Sequence, residues 1–384
     1  MKLVRHEPYV GGYITSDKGE VFLIDNQDVN FIEKSGKYRI IRNKNNPPNC
    51  FSAPVRVQIQ TTENCNLRCV TCAVANKRRF FGLETNKIKE VLDYLAEWGV
   101  LNIEWSGGEP LLRKDFCDLV WYANRLGFEQ NLLTNGTLFN SENSKFLRKY
   151  FFNTQISLDG VCDVYNRIVG RDYWEKFKKS LRCFLDEKPK GLIAAVVLQK
   201  ENVSNIDSVI EFCGDNGLKD VRVSMQVSLG RSECISWNEY NGVIDQFRCQ
   251  LPKLEKLAKS KNVFLDTFLG KIDHDGDVDD VGRLISPGGY SFVYINARGD
   301  IFPFPFLFDD VFRVGSIDKD DLREKWFKSE VFKELRTCTY EATGCGKCRK
   351  ECAFFERSLV YSFTGDIKGR ALSHEECDIS RERR

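Results

Sequence analysis

At 384 residues the chain exceeds one ordinary domain, and two or three units are expected. Its formal net charge of +2, from 57 Lys and Arg against 55 Asp and Glu, gives no field suited to nucleic acid or an anionic membrane, and no apolar run reaches bilayer-spanning length. The opening MKLVRHEPYVGGY has no apolar signal core, so a cytoplasmic chain is expected, and fifteen cysteines in a reducing compartment point to metal ligands rather than disulfides.

The first segment, 1–48, reads as small and β-rich, with strands in YVGGYITSD and EVFLID, a short helix in NQDVNFIEK and a strand in KYRIIRN. Prolines and asparagines mark NKNNPPN (43–49) as a linker. VRVQIQ (55–60) alternates as a strand does, and TENCNLRCVTCAV (62–74) follows it directly, placing Cys65, Cys69 and Cys72 in one loop. TNKIKEVLDYLAEWG is a helix with Ile88, Val91, Leu92 and Leu95 on one face and Thr85 as its cap. LNIEW (101–105) is a second strand, and DFCDLVWYANRLG a helix ending at a glycine. QNLLT (130–134), TQISL (154–158), LIAAVVL (192–198) and VRVSMQV (221–227) are four more strands, separated by helices such as DYWEKFKKSLRCFLDE and NIDSVIEFCGDNG. Six strands alternating with helices predict an α/β fold with a parallel sheet and helical crossovers. Parallel strands gather their C-terminal ends on one side, where sites collect, and the cysteine loop stands at that edge.

Soft thiolates in a reducing cell suit zinc or iron–sulfur clusters. A structural zinc site closes with four ligands, commonly in paired C-x2-C units, whereas this loop is C-x3-C-x2-C and the whole chain has three histidines. Three cysteines can hold three irons of a four-iron cube and leave the fourth iron open to a substrate or cofactor. Lone cysteines are usually small buried hydrophobes, and Cys50, Cys117, Cys183, Cys213 and Cys249 are read so.

Further motifs follow in order, each at the end of a predicted strand: Gly107-Gly108-Glu109-Pro110 in WSGGEPLL, LLTNGT (132–137) and ISLDG (156–160). Together with the cysteine loop they resemble the signatures of radical S-adenosylmethionine (radical SAM) enzymes over roughly residues 54–230. The resemblance implies a partial (β/α)6 TIM-like barrel, here 54–260, holding a [4Fe-4S] cluster with an open site on Cys65, Cys69 and Cys72. It implies that Gly107, Gly108, Glu109 and Pro110 lie at the methionine amino group of S-adenosyl-L-methionine, and that Asn135 and Ser157 lie near the ribose and the methionine carboxylate. Relatives often carry an aromatic residue just before the third cysteine, near the adenine, where this chain has Thr71. The implied chemistry is reductive cleavage of S-adenosylmethionine to a 5′-deoxyadenosyl radical that takes hydrogen from a substrate carbon. Cys162, after SLDG, and Cys234, in LGRSEC, are candidate hydrogen-atom donors at the mouth.

The chain's last part, 286–384, resembles a SPASM or twitch-type extension. SPGGYSFVYINARGDIFPFPFLFDDVFRVGSI (286–317) has its hairpin outline, and Cys345, Cys348, Cys352 and Cys377 suit one auxiliary [4Fe-4S] cluster, with Cys338 a possible substitute ligand and a zinc knuckle on Cys345 and Cys348 the alternative. Ser286 and Phe304 stand where a second auxiliary cluster would need thiolates, so Phe302, Phe304 and Phe306 are expected to form an apolar patch there. Residues 261–285, with the acidic run DHDGDVDD (273–280), are expected as a solvated linker; an EF-hand reading fails because position one would be Lys271. The N-terminal segment resembles the start of the peptide-recognition element of ribosomal-peptide maturases, which adds a leader peptide to a sheet edge. The resulting expectation is an enzyme acting on a precursor peptide, giving a crosslink, oxidation or epimerisation, with a reductase, flavodoxin or ferredoxin as electron donor and neither nucleic acid nor membrane as partner. The alternatives are a radical SAM small-molecule dehydrogenase or rearrangement enzyme, and a non-catalytic iron–sulfur electron-transfer protein.

Overall fold

The computed structural model describes residues 2–7, 11–15, 21–24, 26–35, 38–42, 50–75, 80–232, 235–267 and 288–337. In the N-terminal segment, strands β1 (Lys2–Glu7), β2 (Gly11–Thr15), β3 (Val21–Ile24) and β4 (Tyr38–Arg42) form a sheet in the order β3-β2-β1-β4, with α1 (Asn26–Lys34) preceding β4. Strand β1 is not announced by its sequence, because charged and apolar residues mix without alternation and Val4 and Arg5 are both buried. Arg5 explains why: its Nη1 donates to the carbonyls of Pro54 (2.8 Å) and Gly99 (3.3 Å). Those carbonyls lie just before the first two barrel strands, so the arginine ties the small sheet to their N-terminal ends.

The six expected strands are all present. They are β5 (Arg56–Gln60), β6 (Asn102–Ser106), β7 (Glu129–Thr134), β8 (Asn153–Ser157), β9 (Gly191–Leu198) and β10 (Asp220–Met225), paired parallel in chain order. Between and after them run α2 (Thr85–Trp98), α3 (Phe116–Leu126), α4 (Ser141–Tyr150), α5 (Cys162–Val169), α6 (Trp174–Asp186), α7 (Ile206–Asp215) and α8 (Trp237–Ser260). Side chains alternate across a strand. One face of the sheet carries Val57, Ile59, Ile103, Trp105, Leu132, Ile156, Val196 and Val221, all in the main apolar core. The other face is polar, with Arg56, Gln58, Glu104, Ser106, Asn131 and Arg222. Thr85 begins α2 but does not cap it; its hydroxyl donates to Asp115 Oδ2 (2.5 Å) and so links the starts of two neighbouring helices.

The sheet continues past the six strands on both sides. On one, β11 (Phe264–Thr267) pairs parallel with β10, so the segment expected as a linker, 261–285, opens with a barrel strand. On the other, β12 (Phe292–Ile295) pairs parallel with β5 and turns at Gly299 into the antiparallel β13 (Asp300–Phe302), which pairs with β14 (Gly315–Ser316). All four residues of β12 are buried, the mark of a strand covered on both faces, so it reads as a continuous apolar run rather than an alternation. The hairpin outline of the extension is thus present, and it is joined to the barrel sheet itself.

Behind the hairpin a smaller core gathers Phe292, Tyr294, Phe302, Leu307, Phe312 and Leu335, with Phe304 packed against it and 5.3 Å from Phe292 between ring centroids. Phe306 stacks edge-on to Phe304 at 5.9 Å, so the three phenylalanines do form an apolar group. Helices α9 (Leu322–Lys328) and α10 (Glu330–Thr337) close the described part. Trp326 of α9 is fully buried, packs edge-on to Trp98 of α2 and Phe332 of α10, and donates its indole N–H to the carbonyl of Phe51 (2.7 Å). Trp326→Phe removes that donor while keeping most of the packing, and is expected to lower stability by about 1.5 kcal/mol. A urea midpoint equal to the parent's, at equal slope, would show that this bond does not hold the extension to the barrel.

Candidate active site

The cysteine loop leaves the C-terminal end of β5 and is fixed by backbone bonds from three directions. From the end of β6, Gly108 N–H donates to Thr62 O (2.7 Å) and Glu109 N–H to Asn64 O (2.8 Å). At the end of α5, Val169 O and Ile168 O accept from the N–H groups of Arg68 (3.0 Å) and Val70 (2.9 Å). Beyond β10, Arg231 N–H donates to Cys72 O (3.1 Å), and its guanidinium Nε donates to Cys69 O (2.7 Å). Two glycines make these approaches possible. A Cβ at Gly108 would stand 2.3 Å from Asn64 O, and one at Gly230, whose φ is +62°, would stand 2.4 Å from Cys72 O.

Side chains tie the expected motifs to one another. Asn135 Nδ2 donates to Asn66 Oδ1 (2.8 Å) and reaches Cys65 Sγ at 3.8 Å, while Asn66 Nδ2 donates to Thr137 Oγ1 (2.7 Å). The TNGT turn after β7 therefore grips the loop between its first two cysteines. Glu109 is fully buried, and its carboxylate accepts from Thr134 Oγ1 (2.8 Å), Asn135 N–H (2.8 Å) and Leu111 N–H (3.1 Å). Burial pushes its pKa up to about 7 against the pull of those three donors. Pro110 is buried at the start of the short turn that follows. Gly107 and Gly108 lie against Thr62 and Asn64, and Ser157 ends β8 with its side chain exposed.

Asp159, in the ISLDG stretch, is buried, accepts from Val197 N–H (2.7 Å), and is pushed up by burial to about 6.

The thiols influence one another. Burial raises the pKa of all three; Asp159, Cys65 and Cys72 raise that of Cys69 further, Glu109 and Cys72 that of Cys65, and Arg231 pulls Cys69 and Cys72 the other way. Burial that favours the protonated thiol makes it a poorer nucleophile. Ligation by a metal reverses the balance, because a cation deprotonates its thiols outright. Among the described residues, no three His, Cys, Asp or Glu side chains converge as a single metal ion would need.

Other expected residues lie elsewhere. Cys162 opens α5, exposed, with a left-handed φ of +51°. Cys234, Cys338, Cys345, Cys348, Cys352, Cys377 and the acidic run 273–280 lie outside the described residues. Of the lone cysteines, Cys50 and Cys213 are buried and Cys117 and Cys183 half-buried, but Cys249 is exposed on α8, contrary to expectation. Arg231, Gly230 and Asn66 were not singled out from the sequence. Gly-Arg just past the sixth strand is the signal for the first two, since that strand end faces the first across the site.

The polar strand face continues the site inward. Arg56 Nη1 lies 3.3 Å from Glu104 Oε2, and Arg222, on the far side of the sheet order, helps Arg56 oppose the burial that raises the Glu104 pKa. Arg222 pairs in turn with Asp266 of β11 (2.9 Å). Gln58 Nε2 donates to Ser106 Oγ (2.8 Å).

Comparison with known proteins agrees with this arrangement. Residues 59–213 match the radical SAM superfamily model. The chain is 27% identical to mycofactocin maturase MftC of Mycobacterium tuberculosis (78% of this chain, 76% of that one). It is 25% identical to the PqqA peptide cyclase of Bradyrhizobium diazoefficiens (82% and 84%), and 26% identical to an AdoMet-dependent heme synthase of Methanosarcina barkeri (82% and 94%). The crystal structure of Streptococcus suis SuiB bound to its precursor peptide SuiA shares the fold, with a TM-score of 0.69 at 16% identity over 95% of this chain and 96% of that one. No described helix is long and apolar enough to cross a membrane. Residues 59–213 of the chain thus form a radical SAM domain, and the family of that domain uses a [4Fe-4S] cluster and S-adenosylmethionine.

Proposed function

We propose that this chain is a radical SAM enzyme that modifies a precursor peptide. When bound, the cluster and S-adenosylmethionine supply a primary carbon radical able to take hydrogen from an unactivated carbon. The chain's own groups do the rest. Cys65, Cys69 and Cys72 hold the cluster, and Arg231, Gly108 and Gly230 fix the backbone that presents them. Gly107, Gly108, Glu109 and Pro110 shape the wall at the methionine end, with Glu109 bracing the TNGT turn from behind. Asn135 orients the loop, and Ser157 offers an exposed hydroxyl at the mouth. Cys345, Cys348, Cys352 and Cys377 hold one auxiliary [4Fe-4S] cluster. A flavodoxin, ferredoxin or reductase supplies the electron.

The observation that carries the radical reading is the loop itself: three thiols in one loop clamped from the ends of β6, α5 and β10 beside a polar barrel face. Three supports favour a peptide as substrate. The PqqA cyclase is named for a peptide, SuiB is seen with one, and among the described residues no strand pairs with the outer edge of β3, where a further strand could add. Cys162 remains a candidate hydrogen donor by its exposure and position after β8, with no contact that sets it against a substrate.

The test uses the anaerobically reconstituted chain with S-adenosylmethionine, a reductant and each short peptide encoded beside its gene. One peptide is expected to lose two hydrogens, or to gain deuterium at one α-carbon in heavy water, in step with 5′-deoxyadenosine release. If cleavage is stimulated by small molecules and by none of those peptides, the substrate class is wrong while the radical chemistry stands.

A further inference from the structure

The turn that joins β12 to β13 reaches the start of the cysteine loop. Asn296 shapes this turn: its Oδ1 accepts from the N–H groups of Arg298 (2.9 Å) and Asp300 (2.9 Å), and its carbonyl accepts from Gly299 N–H (3.0 Å), whose φ is +86°. Two contacts run from the turn to the strand end that carries the loop. Ala297 N–H donates to Oε1 of Gln60, the last residue of β5, in a buried bond of 3.0 Å. The Arg298 guanidinium holds Glu63 with two arms, Nε to Oε1 (2.9 Å) and Nη2 to Oε2 (3.0 Å), and lies 5.0 Å over the ring of Phe80. Phe80 closes the other side, its N–H donating to Glu63 Oε2 (2.9 Å) and its carbonyl accepting from Glu63 N–H (2.9 Å). Exposed ion pairs contribute little, but the Glu63 side chain is only 8% exposed, and a carboxylate so nearly out of water is left with an uncompensated charge when its partner goes. Glu63 precedes Cys65 by two residues, a backbone span of at most about 7 Å.

We propose that Arg298 is a positioning residue of the extension that, through Glu63, sets how readily the cluster on Cys65, Cys69 and Cys72 takes up an electron. The inference rests on the reading above that these thiolates hold a reducible cluster. Reduction adds one negative charge to that cluster. A carboxylate at the entry of the loop opposes the added charge, and the guanidinium cancels it for as long as it is seated. The two-armed fork fixes where that positive charge stands, and Asn296 fixes the backbone from which it extends. Arg298 belongs to the β12–β13 hairpin, whose aromatic residues Phe292, Tyr294 and Phe302 form the small core of the extension. The extension therefore does more than follow the barrel in the chain: its first hairpin tunes the radical site, and a change in how that hairpin sits changes the ease of reduction.

The test is an anaerobic redox titration of the reconstituted full chain without S-adenosylmethionine. It follows the paramagnetic signal of the reduced cluster that shifts when S-adenosylmethionine is added to a parallel sample, which assigns the signal to the open-site cluster. Arg298→Ala is expected to be reduced about fivefold less at a given potential, a midpoint lower by about 40 mV at about 59 mV per tenfold for one electron, with iron content and circular dichroism unchanged. Glu63→Gln removes the negative charge, keeps an acceptor for Phe80 N–H, and is expected to raise the midpoint. The double variant is expected to return close to the parent, which a loss of packing would not do. Arg298→Lys keeps the charge and is expected to stay within twofold of the parent. A folded alanine variant with the parent's midpoint overturns the proposal, and so does a double variant lowered as far as the alanine variant. If Arg298→Ala does not fold, a Glu63→Gln midpoint at or below the parent's overturns it instead. A parent with no signal that responds to S-adenosylmethionine overturns the cluster reading itself.

Discussion

Replacing Cys65, Cys69 and Cys72 together with alanine is expected to abolish 5′-deoxyadenosine formation and to remove about half of the protein-bound iron. The argument begins with what else is available in the loop. The carboxylates nearest the thiols, Glu109 and Asp159, are buried and already accept hydrogen bonds from Thr134, Asn135 and Leu111 and from Val197, so the variant has little with which to rebuild the site. The fold is expected to survive, because the loop is held by backbone bonds from Gly108, Glu109 and Arg231 that do not use the thiols, and Cys65 and Cys69 contribute only at the margin of the main core. Far-ultraviolet circular dichroism and the urea midpoint should therefore stay close to the parent's. Iron is the discriminating readout. Two four-iron clusters, as proposed, would give about eight irons per chain in the parent, and the variant would then retain about four on the proposed ligands Cys345, Cys348, Cys352 and Cys377. About twelve in the parent would mean a second auxiliary cluster; about four, falling to none in the variant, would mean that the C-terminal cysteines bind zinc or nothing. Cleavage of S-adenosylmethionine by the variant at the parent's rate would end the radical reading of this loop.

Much of this site was legible in the sequence, for a physical reason. Barrel strands are covered by helices on one face and open to a polar interior on the other, so VRVQIQ and NIEW alternate visibly. Each functional turn directly follows such a strand, which placed Cys65, Gly107, Asn135 and Ser157 on one edge of the sheet. What stayed hidden depends on pairing rather than pattern. FLDT (264–267) is too short to alternate, and only its register with β10, Arg222 opposite Asp266, makes it a strand. FVYI (292–295) reads as apolar, but nothing local says that it adds to β5. Arg231 is separated from Cys69 by 162 residues, and an exposed arginine after a strand is unremarkable until the sixth strand brings it to the first loop. Glu109 is the converse case. Its motif was legible, but the direction of its carboxylate, toward Thr134 and Asn135, was set by the neighbouring strand.

Gly108→Ala is expected to cost about a hundredfold in turnover while leaving the chain folded. The added methyl carbon would stand 2.3 Å from Asn64 O and 2.7 Å from Glu63 O, against about 3.5 Å for an ordinary contact. Both neighbours are backbone atoms, so no side chain can swing aside. The loop must move by roughly 1 Å, and the movement starts at the residue before Cys65. Two backbone bonds stretch with it, Gly108 N–H to Thr62 O at 2.7 Å and Glu109 N–H to Asn64 O at 2.8 Å. Overpacking of this kind costs about 1–3 kcal/mol, a fraction of a chain's stability, whereas a misplacement of about 1 Å at a reacting centre is enough for the hundredfold loss. Gly242 provides the control: it lies within α8, a Cβ there meets nothing within 4 Å, and Gly242→Ala should leave turnover unchanged and raise helix stability by up to about 1 kcal/mol. Circular dichroism, iron content and single-turnover 5′-deoxyadenosine release on both variants separate misplacement from unfolding. If Gly108→Ala turns over within twofold of the parent, the close approach of the second strand's end to the cysteine loop does not set the geometry of the site.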